Sequence, residues 1–238
     1  PRCSHNYTAC HPNSDDTMSL PAAVPIQVWF VLQQHSLVLD WAGPAEALRI
    51  ANQLLRAAGQ PERFQIRFAG AAPQATGSVG VTLANLEPLP VHWNGPCWLV
   101  LVGLPGSTIA VDNDEAQALL HWLRGLRLAR GRLELVTICA GTLLAAHAGL
   151  LAGRRATTHH HHLDELAAVE PRCDVVANRV FVVDPPLYSS AGVTTGIDLV
   201  LHRIAETCGE ALAARVAQTM VVALRRGASP RNRCQAPQ

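Results

Sequence analysis

Residues 133–142, running Leu133-Glu134-Leu135-Val136-Thr137-Ile138-Cys139-Ala140-Gly141-Thr142, constrain this chain more than any other stretch. An alternating, β-branched segment stops at one cysteine, two small residues follow, and the Ala/Leu-rich run over 143–151 has helical composition. The order is strand, sharp turn, helix. Such a turn holds its apical residue in a strained conformation and aims the first amides of the next helix at its side chain. The plain alternative is that Cys139 is one more small buried residue, the common fate of a free cysteine. A cysteine between strand and helix is a more specific context than a lone one, and it points to a thiol of lowered pKa.

The rest of the chain fits one main α/β domain. Its 238 residues, 49% of them hydrophobic, suffice for a large single core. A formal charge of +1 provides no broad basic field, so composition offers nothing for nucleic acid or an anionic membrane to bind. Every one of the 19 basic residues is arginine, which excludes Schiff-base and P-loop lysine chemistry. The seven cysteines, at 3, 10, 97, 139, 173, 208 and 234, include no Cys-x-x-Cys pair. Neither a disulfide framework nor a structural zinc site is expected. Without an 18-residue apolar run or a secretory pattern, the expected location is the cytoplasm and no membrane partner is foreseen.

Residues 1–22 are polar and aperiodic and are expected to form a disordered leader, with Met18 as a natural start. Strands are predicted over 26–32, 64–68, 79–83, 97–102, 133–138 and 187–191, with 175–176 and 180–183 as a hairpin or short pair. Helices are predicted over 45–58, 115–128, 143–151, 195–207 and 210–226. The first has Pro44 in its opening turn and Gly59 past its end, and Gly209 separates the last two. The main domain thus covers 23–226, and 227–238 reads as a tail or linker. Strands alternating with helices in this way predict a doubly wound, mainly parallel sheet flanked by helices, whose ligand site lies beyond the carboxyl ends of the strands. Asp40, the low-bulk loop over 103–107 and Cys139 all fall at such ends.

Nucleophilic cysteine chemistry needs a thiolate, a proton carrier and donors for a developing oxyanion. Cys139 is the candidate nucleophile and Asp40 the candidate acid/base, with the amides of Ala140 and of the 103–107 loop as donors. The bland reading of Asp40 is a cap or loop residue for the Pro44 helix. Gly103, Pro105, Gly106, Ala140, Gly141 and His159 form the candidate ligand-binding set. His159 to His162 are four adjacent imidazoles, but neighbouring side chains diverge and no further ligand recurs at a fixed spacing, so no metal site is expected and no cofactor is foreseen. One of the four, with His159 the candidate, can still face the Cys139 pocket, because it follows the elbow helix where the chain returns to the sheet.

Four segments carry a family resemblance. They are Asp40-Trp41-Ala42-Gly43-Pro44-Ala45-Glu46, Thr137-Ile138-Cys139-Ala140-Gly141-Thr142, Gly149-Leu150-Leu151-Ala152-Gly153-Arg154-Arg155-Ala156-Thr157-Thr158-His159 and Ser190-Ala191-Gly192-Val193-Thr194-Thr195-Gly196-Ile197-Asp198. In order and content they resemble the signature segments of the ThiJ/PfpI superfamily, nearest the N-terminal domain of GlxA-like regulators of the AraC type. The resemblance implies a flavodoxin-like, class I glutamine-amidotransferase-like sheet with a nucleophile elbow at Cys139. It also implies a homodimer and a small effector bound in the Asp40/Gly103/Cys139 pocket. Residues 216–226 resemble the helix that leads to a helix-turn-helix module in those regulators, a module the residues after Arg226 are too few to form, so DNA is reached only through a missing C-terminal part. The alternative implied by the resemblance is an isonitrile hydratase-like or related hydrolytic enzyme using Asp40 and Cys139. The chain departs from the family in having His160 where a tryptophan commonly follows the Thr-Thr-His triplet.

Overall fold

Six residues of nearly continuous apolar character, Ile26–Val31, form strand β1, with five of the six buried. That pattern belongs to a parallel strand covered on both faces. In a computed structural model of the chain, residues 24–222 are described; the expected leader over 1–22 and tail over 227–238 lie outside them. Helix α1 (Val38–Ala57) follows β1, then β2 (Phe64–Gly70), the short pieces β3 (Gln74–Thr76), β4 (Thr82–Ala84) and β5 (Glu87–Pro88), and β6 (Cys97–Leu101). After α2 (Asp114–Arg124) come β7 (Leu133–Ile138), α3 (Gly141–His147), β8 (Arg155–Ala156) and a 3-10 turn over His160–His162 that runs into α4 (Leu163–Val169). The last elements among the described residues are β9 (Asp174–Val175), β10 (Phe181–Asp184), β11 (Leu187–Ser190), α5 (Thr195–Cys208) and α6 (Glu210–Thr219).

Seven strands form the main sheet in the order β10-β11-β7-β6-β1-β2-β5. All its pairings are parallel except β10 with β11. The expectation of a mainly parallel, helix-flanked sheet is met. Strands β6, β7 and β11 are buried along their whole length, the signature of a layer between helices. One helical layer packs α1 against α5 and α6; a second brings α3 against β6, β7, α2 and α4. Crossovers leaving β1 towards β2 and β6 towards β7 run in opposite directions along the sheet, and their common handedness places the layers on opposite faces. Asn52 fixes α1 against β2: its side-chain amide donates to the Phe64 carbonyl at 2.6 Å, and its oxygen accepts from the Arg63 and Phe64 amides at 3.1 Å each.

Several predicted boundaries shift. Helix α1 begins at Val38 rather than 45, so Pro44 lies inside it and Asp40 in its first turn. Proline cannot donate to the carbonyl four residues back, here that of Asp40, and the sequence pattern reads that gap as a helix start. Helix α3 stops at His147, where Gly149 adopts φ +76° and turns the chain out of the helix. Helix α6 stops at Thr219 instead of continuing to 226. The hairpin or short pair expected between 175–176 and 180–183 does not form: β9 pairs with β8 and β10 with β11. Apolar runs identify strands but carry no information about which partner each will take. Among the described residues no helix is long and apolar enough to cross a membrane.

Candidate functional site

From β1 the chain moves to β2 on one side, whereas β6 pairs with β1 on the other, so the order reverses at β1/β6. At such a reversal the loops leaving the carboxyl ends diverge and leave room for a ligand. Three of the segments that meet there are the start of α1, the loop after β6 and the turn after β7. Cys139 occupies that last turn, directly between β7 and α3, with φ +57°. A side chain in the left-handed region is strained and persists only where its surroundings hold it. Here the Cys139 amide donates to the Ser190 carbonyl at 3.1 Å, while its own carbonyl accepts from the Thr142 amide at 3.3 Å and from Thr158 Oγ1 at 2.9 Å. Gly141 lets α3 start against β6, since a Cβ there would lie 2.4 Å from the Leu101 carbonyl oxygen.

Asp40 is fully buried beside this turn. Its Oδ2 accepts from the Gly103 amide at 3.0 Å and its Oδ1 from the Val193 amide at 2.9 Å. One carboxyl therefore ties the loop after β6 to the segment after β11. Both tied segments press on the cysteine: a Cβ on Gly103 would fall 2.7 Å from Asp40 Oδ2 and 3.1 Å from Cys139 Sγ, and one on Gly192 only 2.6 Å from Sγ. Val193, a β-branched residue at φ +54°, keeps its uncommon conformation while its amide is held by Asp40. The Gly192-Val193 strap lies directly against the cysteine, and Cys139 is 4% exposed.

Burial pushes the Asp40 carboxyl up to about 6, against the pull of the two amides. Burial pushes the Cys139 thiol up to about 12; the neighbouring Asp40 charge adds to this, and the Ala140 amide opposes it. The lowered pKa expected at the turn is overturned. Helix-terminal amides favour a thiolate, but here the loss of water outweighs them. Cys139 is therefore a neutral thiol in the closed site. In native protein at pH 8, iodoacetamide should label the half-buried Cys173 and Cys208 before Cys139, as read by peptide mass spectrometry; earlier labelling of Cys139 would contradict a closed, neutral thiol.

The structure brings together Asp40, Gly103, Cys139, Ala140 and Gly141. Pro105 and Gly106 lie on the exposed part of their loop, and Gly106 adopts φ +133°. His159 is half-buried, one residue after the Thr158 that bonds the cysteine carbonyl. Its ring lies with those of His160 and His161, at 4.2 and 4.9 Å between centroids, rather than diverging from them. Burial and the three neighbouring imidazoles lower its pKa. Gly192, Val193 and Thr158 also contact Cys139 or Asp40; the candidate set lacks them, although the segments 149–159 and 190–198 contain them. Two clefts of about 390 and 470 Å³ open at the other end of the sheet, around Cys97, Glu134 and Arg203 and around Trp93 and Arg132.

A profile of the DJ-1/PfpI family matches residues 91–206. The HTH-type transcriptional regulator CdhR of Pseudomonas aeruginosa is 32% identical over 197 residues, covering 82% of this chain and 54% of that protein. Isonitrile hydratase of Pseudomonas putida is 30% identical over 188 residues, covering 77% of this chain and 73% of the enzyme. The chain spans about half the length of CdhR and of the regulator GbdR. Among solved structures, an AraC family transcriptional regulator from Pseudomonas putida superposes with a TM-score of 0.69 at 20% identity, covering 82% of this chain and all of that one. Drosophila melanogaster DJ-1beta gives 0.61 at 19% identity, with coverage of 83% and 98%. The structural likenesses establish the fold, and the family profile and the sequence relatives show the family: the chain belongs to the DJ-1/PfpI family.

Proposed function

We propose that this domain is the ligand-sensing part of an AraC-type transcription regulator, with a small polar metabolite as its effector at the Asp40/Gly103/Cys139 site. It acts as a homodimer in the cytoplasm and reaches DNA through a C-terminal module. Similarity to CdhR and GbdR over about half the length of each supports this reading. The observation that carries it is the two-amide grip of Asp40 on Gly103 and Val193. A ligand entering beside Cys139 has to displace the Gly192-Val193 strap, which continues into α5 and then α6. Occupancy thereby becomes movement of the C-terminal helices, the direction in which a DNA-binding module would follow. Differential contacts with a closed and an open strap are what an effector needs to shift the balance between them.

The second reading is a cysteine-dependent enzyme of the isonitrile hydratase type. It is favoured by the similarity to that enzyme and by a carboxyl pushed up to about 6 next to a thiol, a suitable value for proton transfer near neutral pH. Catalysis would require the strap to open before the thiol could ionise. Screening small polar metabolites by thermal shift, and isonitriles, amides and aldehydes by turnover, separates the two. The sensor reading expects saturable stabilisation without turnover. Steady turnover abolished in Cys139→Ala would overturn it in favour of the enzyme.

A further inference from the structure

An imidazole cluster follows Thr158, whose hydroxyl donates to the Cys139 carbonyl. His159, in extended conformation, precedes the 3-10 turn His160–His162 and folds back over it, its Nδ1 accepting from the His161 amide at 3.4 Å. This capping bend explains why three consecutive side chains converge where an extended chain would splay them. One ring nitrogen from each of His159, His160 and His161 lies within 4.8 Å of the others. The rings of His160 and His161 are 4.1 Å apart between centroids. His162 turns the other way: it is buried, and its Nδ1 pairs with Glu165 Oε2 at 2.8 Å. Glu165 also accepts from the Ile109 amide, which moors the turn to the rest of the domain.

We infer that His159, His160 and His161 form a binding site for a single divalent transition-metal ion of the imidazole-preferring class: Zn²⁺, Ni²⁺ or Cu²⁺. Three imidazoles so close repel one another when protonated, whereas as neutral ligands they supply three nitrogens to one ion and leave its remaining positions to water. The set is purely nitrogen, which disfavours Mg²⁺ and Ca²⁺, both of which demand oxygen ligands. Anchorage of Thr158 to the cysteine carbonyl on one side and of Glu165 to Ile109 on the other limits the turn's freedom, so less ordering remains for the ion to impose. The site is independent of whether the Cys139 pocket senses or catalyses.

The test is titration of the whole chain with Zn²⁺ by calorimetry, together with the visible spectrum of its Co²⁺ complex, for wild type and for the His160→Asn/His161→Asn double variant. Both substituted residues are exposed, so the fold should survive. One equivalent should bind to wild type, and the variant should bind at least about tenfold more weakly. Absence of saturable uptake with metal in excess, or equal affinity in the double variant, would overturn the proposal.

Discussion

Replacing Gly192 by alanine should lower the stability of the domain by about 2 to 6 kcal/mol, in contrast to the same change at most other glycines of positive φ. Two effects add at this position. The backbone sits at φ +97°, where any side chain is strained, and the new Cβ would meet Cys139 Cβ at 2.4 Å and Sγ at 2.6 Å. Gly131 separates them: it has φ +73° and nothing within 4 Å of a built Cβ, so Gly131→Ala carries the conformational strain alone, roughly 1 kcal/mol. Denaturant unfolding of the two variants should therefore differ by the cost of the steric contact. A second step identifies the partner. Cys139→Gly removes the two nearest contacts and also suits φ +57°, leaving only the residue-139 Cα at 2.8 Å from the new Cβ, so in that background Gly192→Ala should cost less than in wild type but still more than Gly131→Ala. Equal losses at Gly192 and Gly131 in the wild-type background would show that the strap does not press on the cysteine.

What the sequence revealed and what it hid divide along a physical line. Strands β1 and β6 were readable because burial on both faces leaves a nearly unbroken apolar run, β7 from its alternating, β-branched pattern, and the turn at Cys139 because small residues follow it at once. The closure of the site was not readable in this way. It depends on an amide 153 residues from Asp40, and local pattern has no access to such a contact. The thiol shows the same limit: sequence supplies the helix amides that favour ionisation but not the dehydration that here opposes it more strongly. Spacing arguments also misjudged His159 to His161, because an extended run of side chains diverges whereas a capped 3-10 turn gathers them. The start of α1 was misplaced by seven residues for the converse reason. A proline tolerated within the helix looks, in sequence, like one that begins it.

Asp40→Asn should abolish a specific pH dependence of folding. The carboxyl titrates at 3.8 in its ordinary state and at about 6 in the folded domain, because burial disfavours its charge. Below the lower value it is protonated in both folded and unfolded chains, and its contribution is fully present. As the pH rises towards 6 the unfolded chain loses the proton while the folded one keeps it, so stability falls. Above about 6 both states are ionised and the loss is complete. A shift of this size corresponds to roughly 3 kcal/mol, spread over the window between the two values. Asparagine has no such titration, yet its amide group must face one of the two backbone N–H donors at Gly103 and Val193. The variant should thus be less stable than wild type at acid pH by the cost of one unsatisfied buried donor, about 1 to 3 kcal/mol. Towards neutrality the gap should narrow or reverse, since only the wild type weakens through this group. Taking the difference between the two proteins cancels every other titrating residue they share. Unfolding free energies from urea titrations at intervals between pH 3.5 and about 7 give that difference directly. Curves that stay parallel across the window would mean that Asp40 titrates in the folded domain as it does in the unfolded chain, the two amides balancing its burial.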